Sequence, residues 1–294
     1  MKELSLHERF AIIALNGLEV ETMVSAKKLA VRGIMAAKIL ENYLDDDISD
    51  GLPELEFKKI LWASTRKLKA EENKITSELR DKNLLSVIPS ILNCDLYYVT
   101  SGVEVSEYLC DSDEYTRQTE SIRAELLESG EVSSEVIFLW WLLRESSCFY
   151  DLFSPLEVDK ITQKLNEIHL TSKKAKSLFN LKIQRKYEQI IVKYLKKKKE
   201  IFSTAIGTGV LYVVPFFERR QAVFIEVEEW FSDDDKRLAC VLDRFAEKGH
   251  IVTVIKTGTV PLIKVDNTYY ECIPGQVIMR VPIQGVRLRR YVMI

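Results

Sequence analysis

The chain has 294 residues, of which 47% are hydrophobic and 29% charged, a composition typical of a soluble globular protein with one large core or two moderate ones. Its formal net charge of −2 gives no reason to expect a nucleic-acid partner, so an anionic ligand would need a local basic patch. Five scattered cysteines without a C-x-x-C pair favour a reducing compartment. The N-terminal apolar stretch has an acid on each side and no small-residue cleavage site, so we expect no secretory signal. The sequence also has no apolar stretch of about 18 residues, so we expect no membrane-spanning helix.

The first two hundred residues have the apolar spacing of helices. Ser5 and Glu8 form a capping-box pattern ahead of a helix predicted over residues 5–16, and a second helix is predicted over residues 25–44. Further helices are predicted over residues 55–68, 72–85, 114–129, 135–153, 155–169 and 172–201. The segment 135–153 is apolar on nearly every side, which is typical of the central helix of a bundle.

Strand patterns appear in two places. Residues 86–100 carry two short β-rich pieces, which predict a hairpin. From residue 203 onward alternating apolar residues predict several strands, interrupted by one helix that begins after Ser232 and ends at Gly249, and Asp266 and Asn267 predict a tight turn. We therefore predict a mainly α N-terminal domain, a helical bundle with a small β-hairpin, over residues 1–202, followed by a small α+β domain over residues 203–294.

Catalytic patterns are missing from the sequence. His7, His169 and His250 have no second His or Cys at metal-ligand spacing, and the "GTG" at residues 207–209 lacks the lysine of a phosphate-binding loop. We expect a binding protein without a metal or cofactor.

The start of the second helix is unusual because it carries four locally unfavourable residues, Lys27, Lys28, Arg32 and Gly33. Cations near a helix N-terminus cost about 0.3–1 kcal/mol each, and glycine in a helix interior costs about 1 kcal/mol relative to alanine. A bound anion would compensate the cations, since backbone N–H groups and cations favour phosphate. The alternatives are close packing of another helix on Gly33 and simple solvation of Lys27 and Lys28.

A longer basic region follows at residues 173–199, where Glu188 is the single acid. Near an anionic bilayer each cation contributes about 1 kcal/mol, so the region predicts attraction to a membrane surface. The members that we assign to this attraction are Lys193, Lys196, Lys197, Lys198 and Lys199. A solvated helix end is the alternative interpretation.

Three stretches, "LSLHERFAIIALNG", "LAVRGIMAAKILENYL" and "VIFLWWLLRES", resemble the Golgi phosphoprotein 3 family in their order and spacing. The resemblance covers about residues 4–170. It implies a mostly helical, non-enzymatic domain that binds the headgroup of phosphatidylinositol 4-phosphate. Arg32-Gly33 matches the family's Arg-Gly pair, whereas Met23 stands near its tryptophan, and Lys69 and Glu72 stand near its later pair of arginines.

These observations lead us to expect a cytoplasmic, peripheral membrane adaptor that binds an anionic headgroup of the phosphatidylinositol 4-phosphate kind. Its partners would be an anionic membrane surface and other proteins, with no nucleic acid. The alternative is a protein–protein scaffold in which the C-terminal α+β domain carries the recognition through an edge strand. The expected headgroup-binding residues are Arg32, Gly33, Lys27, Lys28 and Lys69.

Overall fold

The computed structural model describes residues 4–44, 52–171, 173–186, 188–189, 223–227, 233–278 and 282–292. Across these residues the N-terminal part is mainly helical and the C-terminal part is α+β, as predicted. The helices of the N-terminal part are α1 (Leu6–Leu15), α2 (Ser25–Leu40), α3 (Glu54–Leu61), α4 (Thr65–Asp81), α5 (Leu96–Ser101), α6 (Ser112–Leu127), α7 (Ser134–Glu145), α8 (Phe149–Leu152), α9 (Pro155–Thr171) and α10 (Lys173–Asn180).

Two helices, α1 and α7, lie at the centre of the N-terminal core. The capping box at the start of α1 forms as predicted, with the Ser5 N–H donating to the Glu8 carboxylate at 3.1 Å. Trp141 of α7 is fully buried and meets Phe57 of α3 edge to face, with ring centroids 5.7 Å apart. Helices that are apolar on nearly every side are stable only when other elements surround them, and both helices are surrounded here.

Several predicted boundaries are wrong because local caps override the apolar period. Ser64 accepts a hydrogen bond from the Lys67 N–H at 3.3 Å and starts α4, which divides the helix predicted over residues 55–68. The helix predicted over residues 135–153 ends at Glu145, since Ser147 has a φ of 65°. Of the helix predicted over residues 172–201, α10 covers residues 173–180, residues 181–185 are not helical, and residues 190–201 lie outside the described residues.

The predicted hairpin is wrong in its second half. Strand β1 (Leu85–Pro89) pairs antiparallel with β2 (Ser106–Cys110), whereas the second β-rich piece forms α5. Asp95 caps α5 by accepting a hydrogen bond from the Tyr97 N–H at 2.9 Å, and this local cap outweighs the strand propensity of the tyrosines and valine that follow.

The C-terminal part contains a five-stranded antiparallel sheet with the order β3-β7-β6-β5-β4. Its elements are β3 (Val223–Glu226), α11 (Asp234–Glu247), β4 (Val252–Lys256), β5 (Leu262–Val265), β6 (Thr268–Ile278) and β7 (Pro282–Tyr291). Asp233 caps α11 by accepting from the Lys236 N–H at 2.8 Å, while the predicted cap, Ser232, lies outside the described residues. The predicted turn forms between β5 and β6, with Asp266 at a φ of 52°.

The two parts share a hydrophobic core rather than sitting apart. Ile91, Leu92 and Cys94, from the connection between β1 and β2, pack into the core under the C-terminal sheet. Asn267 also donates to the Asn16 side chain at 3.1 Å and to the Cys110 carbonyl at 2.7 Å. The predicted domain boundary between residues 202 and 203 lies in the undescribed segment, and these contacts join the two sides of it.

Candidate functional site

Lys27, expected to face an anionic ligand, is fully buried near the start of α2. Its Nζ donates to the carbonyl oxygens of Glu19 and Val20 at 2.6 and 2.9 Å and lies 2.9 Å from Glu72 Oε1. Burial lowers the pKa of Lys27, and the ion pair with Glu72 opposes that shift. The anion that compensates this cation is therefore a carboxylate of the chain itself. The alternative interpretation, in which solvent surrounds the Lys27 side chain, is also wrong.

Glu72 is the centre of a small charged cluster between α2, α4 and β2. Its Oε1 accepts a hydrogen bond from the Tyr108 hydroxyl at 2.8 Å, and burial together with this bond raises the pKa of Tyr108. Its Oε2 lies 2.9 Å from Nζ of Lys69, which also donates to the Val20 carbonyl at 3.2 Å. Two lysines thus share one carboxylate, and only Lys69, with 39% of its side chain exposed, presents the excess positive charge to solvent.

Arg32 is buried as well, with 1% of its side chain exposed. Its Nη1 donates to both carboxylate oxygens of Glu188 at 2.8 Å and lies 3.4 Å from the Ile183 carbonyl. The expected partner of Arg32 was a headgroup, but the partner in this structure is Glu188. A buried arginine requires such a counter-charge, since an unpaired charge in the interior costs several kcal/mol.

The segment that brings Glu188 to Arg32 is fixed to the helices around it. Ile183 is buried in the main core, and its N–H donates to the buried Glu145 carboxylate at 3.4 Å. Burial raises the pKa of Glu145. The Glu188 carboxylate also accepts from the Arg185 N–H at 2.6 Å. Arg32 is thus covered by an ordered part of the same chain.

Gly33 packs against α1, which agrees with the alternative that another helix packs closely on this glycine. A Cβ built on Gly33 would lie 2.5 Å from Phe10 Cε1, far inside van der Waals contact. Phe10 is completely buried and cannot move away without disturbing the core. Close helix packing is therefore a sufficient reason for glycine at this position.

The remaining predicted site residues are Lys28 and the lysines of the basic region. Lys28 is half-buried near the start of α2. The lysines expected to attract a membrane, Lys193, Lys196, Lys197, Lys198 and Lys199, lie outside the described residues.

The sequence analysis missed the carboxylates that neutralise the basic helix start, although one signal was present. Glu188 is the only acid in an otherwise basic run, and a lone acid among lysines is a candidate partner for a buried cation. Glu72 gave a weaker signal, because it stands where the resembling family has an arginine.

A different surface, on α3, combines exposed apolar and basic side chains. Phe57 and Ile60 of this helix face the core, while Leu55 and Trp62 are 67% and 71% exposed. These two residues are seven positions apart and therefore lie on the same side of the helix, with Lys58 and Lys59 between them. We call these four residues the α3 stripe.

One further cation, Arg185, contacts the α3 stripe, and more are present in the neighbouring stretches of sequence. The Arg185 guanidinium carbon lies 5.2 Å from the centre of the Trp62 ring, and its Nε donates to the Leu61 carbonyl at 3.1 Å. Segments 54–67 and 181–186 carry two exposed acids, Glu54 and Glu56. The cations of these two segments, all exposed or half-exposed, are Lys58, Lys59, Arg66, Lys67, Lys182, Arg185 and Lys186. These two segments therefore carry a net positive charge in a molecule whose formal charge is −2.

A second group of exposed apolar side chains has the opposite electrostatic setting. Tyr97, Val99 and Val103 project from the connection between β1 and β2. The carboxylate of Glu104, 82% exposed, follows Val103 directly, and the Glu21 carboxylate accepts a hydrogen bond from the nearby Ser106 N–H at 3.1 Å. Exposed acids beside this group make it a poorer match for an anionic surface than the α3 stripe.

No protein-family model and no curated protein matches this chain. In the parts of the chain that the structure describes, none of the helices has the length and apolar content needed to cross a membrane.

Proposed function

We propose that this protein is a non-enzymatic, peripheral membrane adaptor that binds anionic phospholipid at the cytoplasmic face of a membrane. The observation that carries the proposal is the α3 stripe, where Leu55 and Trp62 are exposed among an excess of cations. In this proposal α3 lies against the headgroup region with the stripe facing the lipid.

The chemistry of Trp62 suits a bilayer interface. The indole ring is largely apolar but has an N–H that needs a polar partner, so tryptophan favours the depth at which acyl chains meet headgroups. Leu55, about two helical turns before Trp62, adds a second apolar anchor. The aliphatic stems of Lys58 and Lys59 can lie along the same surface while their ammonium groups reach phosphate. Two exposed side chains give partial burial and hence reversible binding.

Electrostatic attraction would supply the rest of the affinity. Each cation near an anionic surface contributes about 1 kcal/mol, and this contribution falls within a Debye length of about 10 Å at 0.1 M salt. The basic residues around the stripe therefore support binding that weakens as salt is raised. The lysine-rich residues 193–199 follow the 181–186 segment along the chain and would add to the same attraction in this proposal.

The resemblance to the Golgi phosphoprotein 3 family supports the same class of ligand, with the helices α1–α10 regarded as one bundle and β1–β2 as its small hairpin. The contacts differ from those that the resemblance implies, since Arg32 and Lys27 are buried and paired. Among the residues first expected to bind a headgroup, Lys69 and Lys28 keep some exposure and would act as peripheral cations.

Vesicle co-sedimentation of the full chain tests the proposal. The vesicles are phosphatidylcholine alone, phosphatidylcholine with phosphatidylserine, and a set with phosphatidylinositol 4-phosphate at the same surface charge. We expect binding to both anionic sets, weakened by salt, and a loss of about tenfold in partitioning for the Leu55→Ser/Trp62→Ser variant, because partial burial of two large apolar side chains is worth more than 1.4 kcal/mol.

A matched control is available on α9. Leu156 is 68% exposed, like Leu55, but lies outside the basic segments, so Leu156→Ser should bind as the unmodified chain does. Charge reversal at Lys59 and Lys67 should remove the salt-sensitive component, whereas Lys160→Glu on α9 should not. Equal binding by all variants, or no binding to any anionic vesicle, would refute the proposal.

A further inference from the structure

Among the described strands of the C-terminal sheet, β4 lies at one edge. It pairs with β5 through Val252↔Val265, Thr253↔Lys264 and Val254↔Ile263, and no other strand of the described sheet lies beyond it. An edge strand leaves a row of backbone N–H and C=O groups without a ladder partner, and such a row can pair with another extended chain.

The direction of these backbone groups follows from one hydrogen bond. The Ile251 carbonyl accepts from the Asp266 N–H at 2.8 Å, so it points toward the β5–β6 turn, and the Ile251 N–H donates to the Asp266 carboxylate at 3.1 Å. In an antiparallel pair, the backbone N–H and C=O groups of successive residues point to opposite edges of the strand. Those of Ile251 and Thr253 thus point toward β5. The N–H and C=O groups of Val252 and Val254 therefore point away from β5, toward the open side.

The side chains at this edge are unusually apolar for an unprotected strand. Ile251 is 74% and Ile255 47% exposed, and Val254 is exposed as well. Natural edges are commonly protected by charges, proline or bulges. A register shift between Val254 and Lys256 provides one such bulge, which interrupts the pairing before it resumes at Lys256↔Leu262. The uninterrupted segment that an incoming chain could pair with therefore lies around residues 251–254.

The charges beside the edge select the kind of chain that fits. Residues 249–265 include no Asp or Glu, and their ionisable side chains are His250, Lys256 and Lys264. His250 is buried and lies 2.9 Å from Asp266, so it is already paired. Lys256 is exposed, whereas the Lys264 Nζ lies 5.8 Å from the centre of the Tyr269 ring on β6, away from the β4 edge. Exposed aliphatic side chains with a cation, Lys256, at the end of the strand match an extended segment of alternating acidic and apolar residues.

We propose that β4 is a docking edge for an extended, acidic segment of a partner protein, which pairs with Val252 and Val254 as an additional strand. A second copy of this chain is a poorer occupant, because it would add the same cations to one continuous sheet. The site lies on the C-terminal sheet and does not involve the α3 stripe, so its test does not depend on whether the protein binds membranes.

Fluorescence anisotropy with the full chain tests this proposal, using a labelled peptide of alternating Glu and Val as the probe. We expect it to bind at least about tenfold more tightly than the Lys-Val counterpart. Val254→Pro, which removes an outward N–H from an edge position where proline is tolerated, should weaken binding about tenfold or more, whereas Val254→Thr, which keeps the N–H, should stay within about threefold. The charge reversal Lys256→Glu should remove the preference for the acidic peptide.

Circular dichroism and the thermal midpoint of each variant establish that the fold is retained, and the charge-reversal variant tests the edge even if Val254→Pro does not fold. Equal affinity for the acidic and basic peptides, or unchanged binding by a folded Val254→Pro, would overturn the proposal. So would self-association of the chain that Val254→Pro abolishes, since that result would identify a second copy as the occupant. Vesicle binding by Val254→Pro should match that of the unmodified chain.

Discussion

Arg32 and Glu188 are 156 positions apart in the chain, yet Arg32 Nη1 lies 2.8 Å from each carboxylate oxygen of Glu188 in the protein interior. This pair joins α2 to the segment around residue 188 and accounts for an arginine among the buried residues of α2. It also changes the expected result of mutating Arg32, from a selective loss of ligand binding to a loss of stability.

We expect Arg32→Ala to lower the free energy of unfolding by about 3–5 kcal/mol, because Glu188 would remain buried without its counter-charge. Arg32→Met/Glu188→Gln should recover much of this loss, since methionine fills the space and the glutamine oxygen can still accept from the Arg185 N–H. Urea unfolding measures both.

A surface pair gives the matched control for this prediction. Lys58 and Glu54 are about 70% exposed and 3.7 Å apart, so Lys58→Ala should cost less than about 1 kcal/mol. If Arg32→Ala cost no more than Lys58→Ala, the buried pair would have no stabilising role. Vesicle binding by the folded Arg32→Met/Glu188→Gln variant tells which residues bind lipid. Binding persists if the α3 stripe binds lipid, and it is lost if Arg32 does.

We expect Gly33→Ala to destabilise the protein by about 1–3 kcal/mol, because the new methyl group would overlap the Phe10 ring. The sign is informative, since alanine in a helix interior otherwise gains about 1 kcal/mol over glycine. Thermal unfolding of Gly33→Ala, Phe10→Leu and the double variant forms a cycle. A smaller ring-free side chain at position 10 should relieve the overlap, so the double variant should lose less than the sum of the single losses; strict additivity would exclude the contact.

The parts of the fold that the sequence predicts well are those whose signals are local. The capping box of Ser5 and Glu8 and the apolar spacing of α1 lie within a few residues of each other, and so do Asp266 and Asn267 of the β5–β6 turn. The division between α3 and α4 was missed because the Ser64 cap is a single residue within an uninterrupted apolar period.

The candidate site could not be predicted in the same way, because its partners are distant in sequence. The cation excess at the start of α2 led us to expect a bound anion, whereas the partners are Glu72 and Glu188, which become neighbours of Lys27 and Arg32 only through the tertiary fold. Exposure of Trp62 is also a tertiary property, since Phe57 and Ile60 of the same short helix are buried.

Thiol labelling should distinguish Cys240 from the other cysteines. Cys240 is half-buried, whereas Cys94, Cys110, Cys148 and Cys272 are buried. Burial raises the pKa of Cys94 and of Cys272 to about 12, so their reactive thiolate forms are scarce at neutral pH. A thiol reagent should therefore modify one cysteine rapidly in the native protein, and Cys240→Ser should abolish that phase. Rapid modification of two or more cysteines in the folded chain would contradict the packing of both cores.

Lys27 should make stability depend on pH in the alkaline range. Burial holds its folded-state pKa below the ordinary value of 10.5, so between these two values the unfolded chain binds more protons at Lys27 than the folded chain does. The free energy of unfolding contributed by this group therefore rises with pH across that interval, by at most about 1.4 kcal/mol per pH unit.

Lys27→Met should remove this contribution, while Glu72 keeps Lys69 and Tyr108 as partners. Urea unfolding of both proteins between about pH 7 and pH 10 gives the test, since alkaline titration of tyrosine and cysteine is common to both and cancels in the difference. We expect the stability of the unmodified chain minus that of Lys27→Met to increase with pH; a difference that is flat or decreases would show that the folded protein does not depress the pKa of Lys27.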